Sequence, residues 1–276
     1  MLPPGSREVS IGAKIRPMNA SRLAPLLAAV IFALYWIMRR PTVGERVGGA
    51  LGLATGIAPA VWLVAVHGVP VKIVVGYAAL FFIGSVLLKW SIYQKVMARY
   101  VLPSSSPAMG GTLQGILSAS CELGSAALAF GVVFPGLDVP SVLGFGAGAA
   151  AIEAVMLSFI ENVHASGPNA ELEATQVAVM RNGPVWVPAM IGFVDRGVAT
   201  TLHIACRGLV AVGIDTARAW PVAIGLVLFA AVDGFAMSCL RSGWEFGRAR
   251  VAMRLYGVMV VPAWASVVAL VIAIYI

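Results

Sequence analysis

Asp195, Arg196, His203 and Arg207 stand inside one otherwise apolar stretch, residues 192–209, GFVDRGVATTLHIACRGL. Ionisable side chains at membrane depth are costly, so each marks a candidate functional position. On an α-helix, Arg196, Thr200, His203 and Arg207 fall within roughly 60° of one another and form a single polar stripe. Asp195 sits about 100° to the side and is expected to face a neighbouring helix. The chemistry available to such a stripe is proton transfer: His203 is the natural proton carrier, and Arg196 is a fixed cation able to hold a carboxylate ionised. Arg207, the last member, is expected to snorkel to the interface.

The acids that could complete a site lie in other apolar runs: Glu122 in GILSASCELGSA, Glu153 in GFGAGAAAIEAVM and Asp233 in VLFAAVDGFA. At roughly 2.5–3.5 kcal/mol each near a helix centre, they are expected to converge on one another or on a cavity. The candidate catalytic set is therefore Glu122, Glu153, Asp195, Arg196, His203 and Asp233. No cofactor is expected. A metal ion stays open, with His203, Glu153 and Asp233 as ligands, although a single histidine makes a poor zinc site. Gly144-x-x-x-Gly148 reads as a helix-packing motif beside Glu153.

The elements that must position these residues follow from composition. The 276 residues are 60% hydrophobic and 11% charged, with a mean hydropathy of +0.91, whereas a soluble domain is about 25% charged. The apolar runs have helix length, without the ~10-residue alternation of an outer-membrane barrel. The expected fold is all-α, a polytopic transmembrane bundle of about eight helices. The formal charge of +7 resides in short loops beside apolar runs, where it sets topology. The expected partners are the lipid bilayer and a membrane-associated peptide or protein substrate, with no nucleic acid. Cys121, Cys206 and Cys239 are isolated and read as small buried hydrophobes.

Taken in order, residues 1–22 read as a tail and 23–276 as one transmembrane domain with its core site in helices 4–7, about 110–240. Met18 is a candidate translation start, and the first apolar run is an uncleaved helix with no small-residue cleavage site. The spans are expected at 23–38, 47–66, 71–89, 110–134, 142–160, 184–212, 220–240 and 255–276. Loops 1–2, 3–4 and 7–8 hold most of the Lys and Arg, Lys89 among them, and are expected in the cytoplasm, leaving both termini outside. Acidic Glu161, Glu171 and Glu173 in loop 5–6 weigh little in that rule. The expected setting is a bacterial-type plasma membrane.

Two of these stretches resemble a known family. DRGVATTLHIA is similar to the E-R-x(6)-H-I segment, and GFGAGAAAIEAVML to the G-x-G-H-G-G-I-E-A-I segment, of YhfC-type membrane peptidases. That family is distantly related to the CAAX-processing and PrsW-type intramembrane proteases and to the Aph subunit of gamma-secretase. CELGS at 121–125 stands where the family has E-E-x-x-R, and Asp233 takes the place of its late histidine or acid. The likeness covers about half of the chain. Cys121, Ser125, Ala149 and Phe229 depart from it, replacing a glutamate, an arginine and two histidines.

The resemblance implies peptide-bond hydrolysis in or near the membrane. Glu153 or Glu122 would be general base on a water, with His203 orienting that water or stabilising an oxyanion. Two other functions compete. The departures suit a non-catalytic scaffold or immunity-type protein that keeps the fold, and buried acids with a histidine also suit a proton-coupled carrier, although no internal repeat relates the two halves.

Overall fold

The computed structural model describes residues 20–159 and 170–276. Among them the regular structure is entirely helical. The helices are α1 (Ala20–Met38), α2 (Val43–His67), α3 (Ala78–Ile92), α4 (Pro107–Leu128), α5 (Val139–Phe159), α6 (Ala170–Arg181), α7 (Trp186–Asp215), α8 (Ala219–Arg241) and α9 (Ala249–Tyr275). Wider π-helical turns at Lys72–Tyr77, Tyr93–Val101 and Ala129–Val133 prolong α3 and α4. With these, 7 rods among the described residues are long and apolar enough to cross a membrane: α2, α3, α4, α5, α7, α8 and α9. Their outward faces carry apolar side chains such as Leu80, Leu87, Val132, Val227 and Val261, as a lipid-covered surface requires. The chain is an integral membrane protein and a polytopic helical bundle.

Three expectations need correction. The third span runs on to Ser104, so Lys89 is a residue of α3 and not of a loop. The loop expected between the fifth and sixth spans contains α6, whose Gln176 donates Nε2–H to the Trp244 carbonyl at 2.8 Å and accepts from the Phe246 amide at 2.6 Å. Residues 20–22 belong to α1 and not to a tail. Residues 1–19, Met18 included, and Glu161 lie outside the described residues.

Close helix contact comes from small residues. Gly44, Gly48, Gly52 and Gly56 recur every fourth residue on α2, which keeps them on one helix face. Their α-carbons approach Val185, Pro188, Gly192 and Arg196 of the α7 side, and Ala154 of α5. On α4, Gly111 and Gly115 meet the backbone of α8 at Ala230 and Gly234. On α5, Gly146 meets the backbone of α7 at His203 and Ile204, while Gly144 and Gly148 meet Val69, Val74 and Ala78. The Gly144-x-x-x-Gly148 pair is thus a packing motif, and Gly146 between them brings α5 onto the histidine turn. Gly48→Val would drive a methyl pair into the Pro188 carbonyl. It is expected to cost about 1–3 kcal/mol or more by overpacking, measurable as a lowered midpoint of detergent-phase unfolding.

These contacts also sort the charges. The start of α2 meets Val185, Gly183 meets Gly247, and Arg241 reaches the Leu102 and Ser105 carbonyls. Arg39, Arg40, Arg46, Lys95, Arg99, Arg181, Arg241, Arg248, Arg250 and Arg254 therefore share one end of the bundle. Lys72 and Arg218 stand at the other.

Candidate functional site

α7 positions three members of the site by its own geometry. Arg196, His203 and Arg207 recur at steps of seven and four residues along one face, and the turn-to-turn spacing brings Arg207 onto His203. Arg207 is 1% exposed. It does not snorkel, because its partners lie inward: Nη2 is 3.1 Å from Glu122 Oε2 on α4, and Nη1 is 2.5 Å from His203 Nδ1. A guanidinium can only donate, so Nδ1 is the acceptor and Nε2 carries the ring proton. That Nε2–H donates to Glu153 Oε2 on α5 at 3.0 Å. Phe82 and Phe229 wall the imidazole edge-on, with centroids 5.7 and 5.6 Å away. Phe229, standing where a late histidine would fit the resemblance, supplies this wall instead of a proton carrier.

Glu153 is the junction. Its Oε2 takes both His203 and Arg196, whose Nη1 lies 2.9 Å away. That Arg196 contact is a charge pairing without hydrogen-bond alignment, since Nη1 makes no directed hydrogen bond. Arg196 Nε and Nη2 instead donate to Asp195 Oδ2 at 2.9 and 2.6 Å. Asp195 thus turns back to the stripe through Oδ2 as well as to a neighbouring helix through Oδ1, to which Tyr256 of α9 donates at 3.3 Å.

On the other side of Arg207, Glu122 Oε1 accepts from Lys89 Nζ of α3 at 2.7 Å, and Ser118 Oγ lies 3.3 Å from it. Ser118 Oγ also lies 3.1 Å from Lys89 Nζ and 2.5 Å from Asp233 Oδ2 of α8. All six predicted site residues consequently belong to one network, running from Asp233 through Ser118, Glu122, Arg207, His203, Glu153, Arg196 and Asp195 to Tyr256. It contains four carboxylates (Glu122, Glu153, Asp195, Asp233) and three cations (Lys89, Arg196, Arg207) besides His203. One further proton makes it neutral, as the weakly polarisable surroundings favour.

Access is not uniform along the network. The side chain of Glu122 is 4% exposed and both of its oxygens are engaged. The side chain of Glu153 is 26% exposed, and both of its contacts fall on Oε2, so among the described residues Oε1 has no hydrogen-bond partner. Among the described residues no group of three or more His, Cys, Asp or Glu is placed to hold a metal ion. His203 and Glu153 meet, but Asp233 is turned to Ser118 on the far side of Glu122.

Lys89, Ser118 and Tyr256 were not legible as site residues. Lys89 lies in LLKWSI near the expected end of a span, and Ser118 and Tyr256 carry no charge that stands out. A signal was nevertheless available in α4, where Gln114, Ser118 and Glu122 repeat every four residues, the same stripe logic that marks α7. Tyr256→Phe is expected to destabilise by about 0.5–1.5 kcal/mol through the lost hydrogen bond, with the helical far-UV spectrum unchanged in a thermal melt.

Compared with known proteins, the chain matches no family model, no curated protein and no solved structure.

Proposed function

We propose that this protein is an intramembrane peptidase of a bacterial-type plasma membrane, hydrolysing a peptide bond of a membrane-associated substrate with Glu153 as general base. One observation carries the reading. Glu153 keeps one carboxylate oxygen open while the other is fixed by His203 and Arg196, the arrangement of a held and oriented base.

In the proposed reaction Oε1 of Glu153 takes a proton from a water molecule, and the resulting hydroxide attacks the scissile carbonyl carbon. The C–N bond breaks as Glu153 returns the proton to the leaving amine. Water is consumed and a carboxylic acid and an amine are released. Arg196, whose Nη1 lies 2.9 Å from Glu153 Oε2, is a fixed cation beside the base. Arg207 holds His203 in the tautomer whose Nε2–H faces Glu153. Glu122, fully paired, holds Arg207 in place.

The basic end of the bundle would face the cytoplasm under the positive-inside rule. The test is cleavage of transmembrane peptides carrying a fluorophore and quencher by the full chain in proteoliposomes, with products identified by mass. Cleavage by the native protein and its loss in Glu153→Gln are expected; equal cleavage by both would remove Glu153 as the base. A second reading, a non-catalytic scaffold, is favoured by the pairing of every carboxylate in the network with a cation or a donor. Partner binding would then survive His203→Gln.

A further inference from the structure

One face of α4 and the neighbouring end of α8 carry buried polar atoms that the network described above does not use. Gly110, Gln114, Ser118 and Glu122 repeat every fourth residue of α4, so they share one face. The lower part of that face is the site: Ser118 reaches both Lys89 of α3 and Asp233 of α8, which aims it into the crevice between those helices. One turn toward the basic end, Gln114 is 7% exposed, and its Oε1 is buried with no hydrogen-bond partner among the described residues. One turn further, Gly110 lies against Arg241 Nε and Ser105 Oγ, each 2.8 Å from where a Cβ would stand. Arg241 Nε is likewise buried without a partner, although Nη2 of the same guanidinium donates to the Leu102 carbonyl at 3.0 Å.

The two orphan atoms are complementary. Arg241 Nε, against Gly110, is a donor at the end of α8, and Gln114 Oε1, one turn on from Gly110, is an acceptor on α4. Buried polar atoms left unpaired are costly, and a water with two to four polar partners is the ordinary remedy. Glycine at 110 keeps α4 close against Arg241 and Ser105, which a Cβ would meet at 2.8 Å.

We propose that the face Gly110–Gln114–Ser118 binds a file of water reaching from the Arg241–Ser105 mouth to the Asp233–Glu122 end of the network. The file ends at Glu122, across Arg207 and His203 from Glu153, so the hydration does not rest on the hydrolytic reading above.

Thiol alkylation tests it, because a cysteine reacts as the thiolate and ionises only where water reaches it. The full chain, with Cys121, Cys206 and Cys239 replaced by serine, would carry Gln114→Cys, or Leu128→Cys as a control on the exposed apolar face, where Leu128 is 53% exposed. Proteoliposomes are treated with iodoacetamide and alkylation is followed by intact mass. Gln114→Cys is expected to react at least about tenfold faster than Leu128→Cys. A rate at Gln114→Cys no greater than at Leu128→Cys overturns the file. No substrate enters the measurement, so its failure is distinguishable from failure of the peptidase reading.

Discussion

Glu153→Gln is expected to lower the rate of peptide hydrolysis by about 10²–10⁴-fold, the usual contribution of a positioned general base, while leaving the bundle folded. The amide keeps the volume of the carboxylate and still accepts a hydrogen bond from His203 or Arg196, which now meet at Oε2. It cannot take a proton from water. The side chain is 26% exposed, and an amide of the same volume keeps the packing against His203 and Arg196. Asp195→Asn is expected to have the smaller effect on rate, because Asp195 touches Arg196 and Tyr256 and not Glu153. Turnover by wild type, Glu153→Gln and Asp195→Asn on one labelled peptide would separate the roles. If Asp195→Asn were the more damaged protein, the base would have to be moved from α5 to α7.

Arg207→Met is expected to cost about 3–5 kcal/mol of stability, the penalty for removing one partner of a buried ion pair. Methionine fills much of the volume but provides no donor. Glu122 Oε2 would lose its cation and His203 Nδ1 its N–H partner together, inside a wall of Phe82 and Phe229. The double replacement Glu122→Gln with Arg207→Met removes the stranded charge as well and is expected to regain part of the loss, because contacting residues couple strongly. Unfolding of the purified proteins in mixed micelles measures the whole cycle. A single substitution costing under about 1 kcal/mol would place Arg207 among weak surface pairs and contradict its burial at 1% exposure.

The α7 stripe illustrates how much of this site was legible beforehand and how much was not. Periodicity alone placed Arg196, His203 and Arg207 on one face, which the structure keeps, and turned Asp195 away from it, whereas Asp195 Oδ2 reaches back to Arg196. It did not say that Arg207 points inward. A long cationic side chain one or two turns from a helix end has two low-energy outcomes, water or a buried acid, and only the position of Glu122 on another helix decides between them. Lys89 is the same case: its sequence neighbourhood reads as the end of a span, and the π-helical continuation to Val101 places it inside the bundle against Glu122.

By itself, the sequence determined the membrane-spanning helical class and the approximate place of most long helices, though not the run of the third span to Ser104 or the helix α6. It also determined that Glu122, Glu153, Asp195, Arg196, His203, Arg207 and Asp233 belong to apolar helices, but not Lys89. Each of these follows from local quantities, apolar run length and the 3.6-residue repeat. Which acid meets which base was decided by the tertiary structure alone. The partners Lys89, Glu122, Glu153, Asp233 and Tyr256 lie on five different helices, and they meet because Gly111, Gly115 and Gly146 let α4, α5, α7 and α8 approach to backbone contact. Distance across helix interfaces leaves no period in a single chain. The open Oε1 of Glu153, on which the proposed chemistry depends, therefore became visible only when the helices were packed.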